Sequence, residues 1–196
     1  LSSAILYHSS NLLSSALLVF TIGFYFFVYT IWLKRKTPQN IVIGGAAGAL
    51  PPVIGWTIAT GQISIEPIIL FLIIFLWTPS HFWALSLYKT DDYKRAKIPM
   101  LPIIAGIQKT KLNILLYSIL MTPVVIAPYF FNLGGLIYLT ASLMMTSYYI
   151  LLCYKLFREN KSKESNIIAR KIFVYSILYL FIIFLLLLIE SLLKLI

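Results

Sequence analysis

The sequence predicts an all-α integral membrane protein: a polytopic transmembrane helical bundle with six spans and the end of a seventh. Three observations predict it. Sixty per cent of the 196 residues are apolar, 11% are charged and the mean hydropathy is +0.91, whereas a soluble domain carries about 25% charged residues. Six stretches long enough to cross a hydrocarbon core of about 30 Å contain no Lys, Arg, Asp or Glu. Finally, the basic residues collect in alternate connections, as orientation in a membrane demands.

Taken in order, residues 1–7 are apolar but too few to span, and read as the end of a helix. The spans follow at about 12–33, 42–60, 67–88, 112–131, 134–154 and 172–189, in a single domain expected over 1–196. The first connection holds Lys34, Arg35 and Lys36. The third holds Lys89, Lys94, Arg95, Lys97, Lys109 and Lys111, and the fifth Lys155, Arg158, Lys161, Lys163, Arg170 and Lys171. These are 15 of the 16 basic residues, and only Lys194 follows the last span. The alternation places the three basic connections in the cytoplasm and removes nucleic acid as the explanation of the +10 net charge. The single cysteine, Cys153, excludes an intrachain disulfide.

Within the spans, Pro51-Pro52 breaks the second, and Pro79, Pro123 and Pro128 each remove a backbone donor from theirs. Gly44 and Gly48 stand in GxxxG spacing, which lets helices approach closely. Trp32 to Asn40 is expected to end one helix and to start the next with Asn40 as its cap.

Chemistry concentrates in the third connection. Asp91 and Asp92 are two of only six acidic residues, and they lie among Lys89, Lys94, Arg95 and Lys97. Carboxylates that take a metal, beside cations that neutralise phosphate, suit a magnesium-bound diphosphate. The plainer reading is pairing within a short helix, Asp91 with Arg95 at i,i+4 and Asp92 with Arg95 at i,i+3. His81 lies in the third span, where ionisable residues are rare and face the bundle interior. It suits proton transfer or haem ligation; the plainer reading is a neutral histidine bonded to backbone freed by Pro79. His8, in a polar outer segment, carries no assignment. Phe71, Phe75, Trp77, Phe82, Trp83 and Tyr88 crowd the same span; they either line a channel for an isoprenoid tail or serve as core and interfacial belt. The six cations of the fifth connection read as a solvated orientation signal without chemistry.

Several strings together resemble a known family. They are Tyr29 to Gly45, Gly48-Ala49-Leu50-Pro51-Pro52-Val53-Ile54-Gly55-Trp56, Trp77-Thr78-Pro79-Ser80-His81-Phe82-Trp83-Ala84-Leu85, and Asp92-Tyr93 followed by Ile98-Pro99-Met100-Leu101-Pro102. In this order they resemble the protoheme IX farnesyltransferases, a family within the UbiA prenyltransferase superfamily. The resemblance implies transfer of the farnesyl group of farnesyl diphosphate to a vinyl group of haem b, giving haem O for haem A and cytochrome oxidase. It further implies Mg2+, a bacterial inner membrane, and partners among haem A synthase and oxidase-assembly proteins.

By position, Asp92 matches the family's second acidic region, with Asp91 beside it at a variable position. Lys34 and Arg35 match its basic pair, His81 its histidine, and Lys89 a place often basic. Lys94, Arg95 and Trp83 complete the expected substrate contacts. The family's earlier Asn-x-x-x-Asp-x-x-x-Asp string is absent. Members also carry more spans, so the chain is expected to lack roughly the N-terminal third and, alone, to be inactive. Three rivals stand beside this reading: a transporter, a prenyltransferase acting on a quinone or other aromatic acceptor, and a structural assembly subunit.

Overall fold

The computed structural model describes residues 1–194; Leu195 and Ile196, the end of the expected domain, lie outside the described residues. In chain order the helices are α1 (Ser2–Ser9), α2 (Leu12–Leu33), α3 (Asn40–Ala49), α4 (Pro51–Thr60), α5 (Ile65–Tyr88), α6 (Thr90–Arg95), α7 (Leu101–Ile104), α8 (Ile107–Phe130), α9 (Leu136–Arg158) and α10 (Ser162–Lys194). No strand occurs among the described residues. Six helical segments, α3 with α4 counting as one, are long and apolar enough to cross a membrane. The chain is a multi-pass membrane protein.

Local chemistry explains the ends of these helices. Asn11 caps α2, its side chain accepting from the Ser14 N–H at 2.8 Å. Gly61 closes α4 in the left-handed conformation, at φ 74°, where a side chain is strained. Pro51 and Pro52 have no N–H, so the second span breaks at Leu50 into two helices of 10 residues each. In contrast, α5 and α8 continue through Pro79, Pro123 and Pro128. The distal half of α2, Phe24–Leu33, is wound as a π-helix.

Apolarity located every span, with both ends of the first and the C-terminal ends of the second and third, but missed ends of the later ones. The helix of α10 starts at Ser162, not at 172, and runs past 189 through Lys194. Likewise α8 starts at Ile107, and α9 runs to Arg158. The physical reason is that a helix continues past the hydrocarbon into the headgroup region, where charged side chains on its flanks are solvated. Lys109, Lys111, Lys155, Arg158, Arg170 and Lys171 are therefore helical residues. The expected Asn40 cap is also corrected. Asn40 is the first residue of α3, and its side-chain N–H2 donates back to the Lys34 carbonyl at 3.0 Å.

Helix α5 is the centre of the bundle, packing against α3, α8 and α10; α9 closes the layer by contacting α8 and α10. Lipid is as apolar as leucine, so close backbone approach and hydrogen bonds must hold such helices together. Two adjacent glycines supply the approach. A Cβ on Gly45 would lie 2.8 Å from Thr78 of α5, and one on Gly44 would lie 2.5 Å from the Tyr29 ring of α2. A Cβ on Gly48, the other half of the GxxxG pair, would meet nothing within 4 Å. Hydrogen bonds link the helices: Tyr138 to the Val125 carbonyl at 2.7 Å, Tyr175 to the Met145 carbonyl at 2.9 Å, and Thr146 with Tyr179 at 2.8 Å.

Buried charges secure α9 at both ends. Lys111, 3% exposed, donates to the Glu159 carbonyl at 2.7 Å and to Ser165 at 2.6 Å. Its ammonium thus satisfies the C-terminal end of α9 and joins α8 to α10 there. At the opposite end Glu190 of α10, 7% exposed, accepts from the backbone N–H of Gly135 and, at 3.0 Å, of Tyr138. A carboxylate at a helix N-terminus meets both the free N–H groups and the positive end of the dipole.

Candidate active site

The acidic pair sits on α6, a helix of six residues directly after α5. Asp92 is held by Arg95 and, at 3.2 Å, by Lys89. The plainer i,i+3 pairing therefore exists, with Lys89 as a second cation on the other side. Asp91, Lys94 and Arg35 form no ion pair among the described residues. The hydrogen bond from Arg95 and then Lys89 hold the Asp92 carboxyl below the usual carboxylate range. Its folded value lies below the unfolded one, so the pairing is fully present above the unfolded value and lost as pH falls through the folded value.

Tyr93, beside Asp92, is half-buried; burial chiefly, then Tyr88 and Asp92, raises its phenol above the ordinary value. It also lies near Tyr29 of α2, whose ring is 5.9 Å from the Lys34 ammonium. Asp92 with its two cations makes a charged patch at the basic end of the bundle, and Lys34 with Tyr29 stands on its Tyr93 side.

Two grooves lead along α5. At the basic end, a groove of about 510 Å³ is bordered by Tyr88, Lys89, Arg170, Phe173 and Val174. Deeper in the bundle, a groove of about 500 Å³ is bordered by Pro51, Pro52, Ile74, Trp77, His81, Ile177, Leu180, Phe181 and Phe184. Phe173 stands between them: it borders the first and stacks on His81 of the second at 4.5 Å. Trp77 and His81 belong to α5, Phe173 and Phe181 to α10. His81 is the one ionisable side chain bordering the deeper groove. It bonds to Ser176 of α10 at 2.6 Å, and not to backbone freed by Pro79. A smaller groove of about 270 Å³ adjoins on the α3 side, shares Trp77 and is bordered by Tyr29, Gly44, Gly48 and Phe82.

Trp83 lies elsewhere. It is 1% exposed, packed edge-to-face on Tyr117 of α8 at 5.4 Å, and borders none of these three grooves. Successive residues of an α-helix point about 100° apart, so Trp77 and Phe82 take the groove side and Trp83 the core side. Arg170 is the residue that sequence reasoning passed over. Its signal was available, since it begins the apolar period of α10 that continues through Phe173, Ile177 and Phe181, but the surrounding cations hid it.

Asp91 and Asp92 are adjacent carboxylates with no third metal-ligating side chain grouped with them among the described residues. Magnesium keeps several waters and is commonly held by one or two carboxylates plus the substrate's phosphates, so the pair fits a metal that arrives with diphosphate.

A helical membrane bundle with a carboxylate and cations at one end and an apolar groove deeper along the same helices has the parts that a charged head and a long apolar tail call for. The chain belongs to the UbiA prenyltransferase family, whose pattern it matches over residues 1–178. It is 65% identical over 184 residues to a Pelagibacter ubique protein named protoheme IX farnesyltransferase, covering 94% of this chain and 61% of that protein. It is 51% identical to a protein of the same name from Parvibaculum lavamentivorans and 55% to one from Orientia tsutsugamushi, covering 94% of this chain and 58% of each relative. The chain therefore spans about three-fifths of the length of these relatives. No solved structure matches it. The UbiA family generally uses a divalent metal to bind diphosphate.

Proposed function

We propose that this protein transfers the farnesyl group of farnesyl diphosphate to a vinyl group of haem b, yielding haem O, from the cytoplasmic face of a bacterial inner membrane. The observation that carries the reading is that the Asp92 and Lys89 patch and the His81 groove lie along the same helices, α5 and α10, with the Phe173 ring between the two grooves. The names of the similar proteins support haem as the acceptor.

In this reading Lys34, Arg35, Lys89, Lys94 and Arg95 surround the diphosphate, and Arg170 adds a cation from α10. Magnesium, when bound through Asp92 and Asp91, supplies further neutralisation of the leaving group. Lys89 and Arg95, which pair with Asp92 in the structure, would face the phosphate wherever that carboxylate took a metal. The apolar bundle holds the tail and excludes bulk water from the allylic centre. The allylic C–O bond breaks with its electron pair leaving on diphosphate, the vinyl π-electrons form the new C–C bond, and water adds to the resulting cation with loss of a proton. The sum is haem b, farnesyl diphosphate and water giving haem O and diphosphate.

The test uses membranes from cells expressing the complete reading frame that encodes this chain, supplied with haem b, farnesyl diphosphate and magnesium. Haem O is expected by mass. Prenylation of a quinone precursor in place of haem overturns the choice of acceptor. Arg170→Gln is expected to raise the KM for farnesyl diphosphate about tenfold with kcat nearly unchanged, since it removes a charge-assisted contact made equally in ground and transition states. Initial rates at varied farnesyl diphosphate check this.

A further inference from the structure

Two serines at the centre of the bundle place their protons in the same way. Ser80 donates to the Trp77 carbonyl at 3.0 Å, and Ser176 to the Phe173 carbonyl at 2.7 Å. A hydroxyl has one proton, so each oxygen then offers only lone pairs to its other neighbour. Ser80 takes the phenol proton of Tyr149 at 2.9 Å. Ser176 faces Nδ1 of His81 at 2.6 Å; with the serine's proton on the Phe173 carbonyl, that nitrogen is the donor. His81 therefore carries its proton on Nδ1, and Nε2 keeps its lone pair. Nε2 has no hydrogen bond among the described residues, while the ring borders the deeper groove. Trp77 stacks on the ring at 4.3 Å and Phe173 at 4.5 Å, which fixes its plane. The Trp77 indole N–H in turn holds the Ser176 carbonyl at 2.9 Å, setting the serine against the same helix.

We propose that Ser176 is a positioning residue that locks His81 in the Nδ1–H tautomer, so that Nε2 is presented to the groove as an axial ligand for the iron of bound haem. This rests on the reading of haem as the acceptor substrate. A metal-ligating histidine almost always donates its second ring N–H to a fixed acceptor, and loss of that partner costs ten- to a hundredfold in affinity. Here the acceptor is a serine whose own proton is committed to a carbonyl. The groove offers a flat, metal-bearing ring apolar walls and a single nitrogen donor, with Pro51, Pro52, Ile177 and Phe181 around it. Neither a transporter nor a purely structural histidine requires this arrangement of protons.

The experiment uses the protein from its complete reading frame in nanodiscs, with 15N-labelled histidine. Before haem is added, the His81 resonances should report Nδ1–H in the wild type; an Nε2–H tautomer overturns the proposal. On titration with iron protoporphyrin IX, a Soret shift that His81→Ala abolishes is expected. Ser176→Ala should weaken iron protoporphyrin binding ten- to a hundredfold and Ser176→Thr should restore it, while metal-free protoporphyrin IX binds all three alike. Equal loss of both porphyrins in Ser176→Ala shows a packing role and overturns the proposal, as does a wild-type Soret band insensitive to His81. If haem does not bind at all while another acceptor is prenylated, the haem reading fails and this inference with it. The tautomer resonance still separates that outcome from an error about Ser176.

Discussion

Asp92→Asn is expected to lower haem O formation by about 10²- to 10³-fold, the scale on which a preorganised electrostatic contact to a leaving group acts. Asparagine preserves the shape of the side chain and removes its charge, so both a metal contact and the hold on Lys89 and Arg95 are lost. The fold should survive. The two ion pairs are exposed, with the Asp92 side chain 48% accessible, and exposed pairs contribute little stability. An unchanged unfolding midpoint beside the rate loss is therefore the expected result. Asp91→Asn should have a smaller effect, because Asp91 lacks the flanking cations that tie Asp92 to the patch. If Asp92→Asn turns over at the wild-type rate, α6 is only a solvated connection and the diphosphate head lies elsewhere. The depressed carboxyl also sets a pH limb: wild-type activity that depends on ionised Asp92 should persist below the usual carboxylate range before falling.

The largest stability effect is expected at Glu190. Glu190→Ala leaves the N–H groups of Gly135 and Tyr138 without their acceptor, in a place where Glu190 itself is 7% exposed. Each buried donor left unpaired costs about 1–3 kcal/mol, so a loss of about 3 kcal/mol is expected, measured as denaturant or thermal unfolding in detergent. Glu190→Gln keeps a carbonyl acceptor but loses the charge at the helix N-terminus, and should retain at least half of the stability. A neutral outcome for Glu190→Ala would mean that headgroups or water replace the carboxylate without cost.

The bundle and its order were legible because apolar length and basic alternation are local properties of a chain in a bilayer. The ends of the helices were not, because a residue such as Arg170 or Lys111 can be charged and helical at once above the hydrocarbon. Within the site, Asp92 with Arg95 was legible from its three-residue spacing, whereas the Lys89 pair was not read and the four-residue Asp91 to Arg95 pair does not form among the described residues. Ser176 was not, since it becomes informative only when α10 lies beside His81, 95 residues away in sequence. Lys111 and Glu190 were hidden for the same reason. Each looks like an ordinary flanking charge until a helix terminus of α9 is brought to it. Trp83 shows the converse: six aromatics on one span cannot be divided between groove and core until the neighbours of each face are known.

The break at Leu50 has a mechanical meaning. Pro51 and Pro52 border the deeper groove, and neither can donate to the carbonyl four residues before it; the Leu50 N–H reaches the Ala47 carbonyl at 3.3 Å, while the Leu50 carbonyl accepts from Val53 and Ile54 of α4 at 2.9 and 3.1 Å. The wall of the groove is therefore articulated to α3 at a point where the helical ladder is already interrupted. Swinging α4 outward sacrifices few backbone hydrogen bonds, so the stiffness of this wall comes from side-chain packing. The deeper groove is a compliant slot, with one rigid jaw in α5 and one hinged jaw in α4.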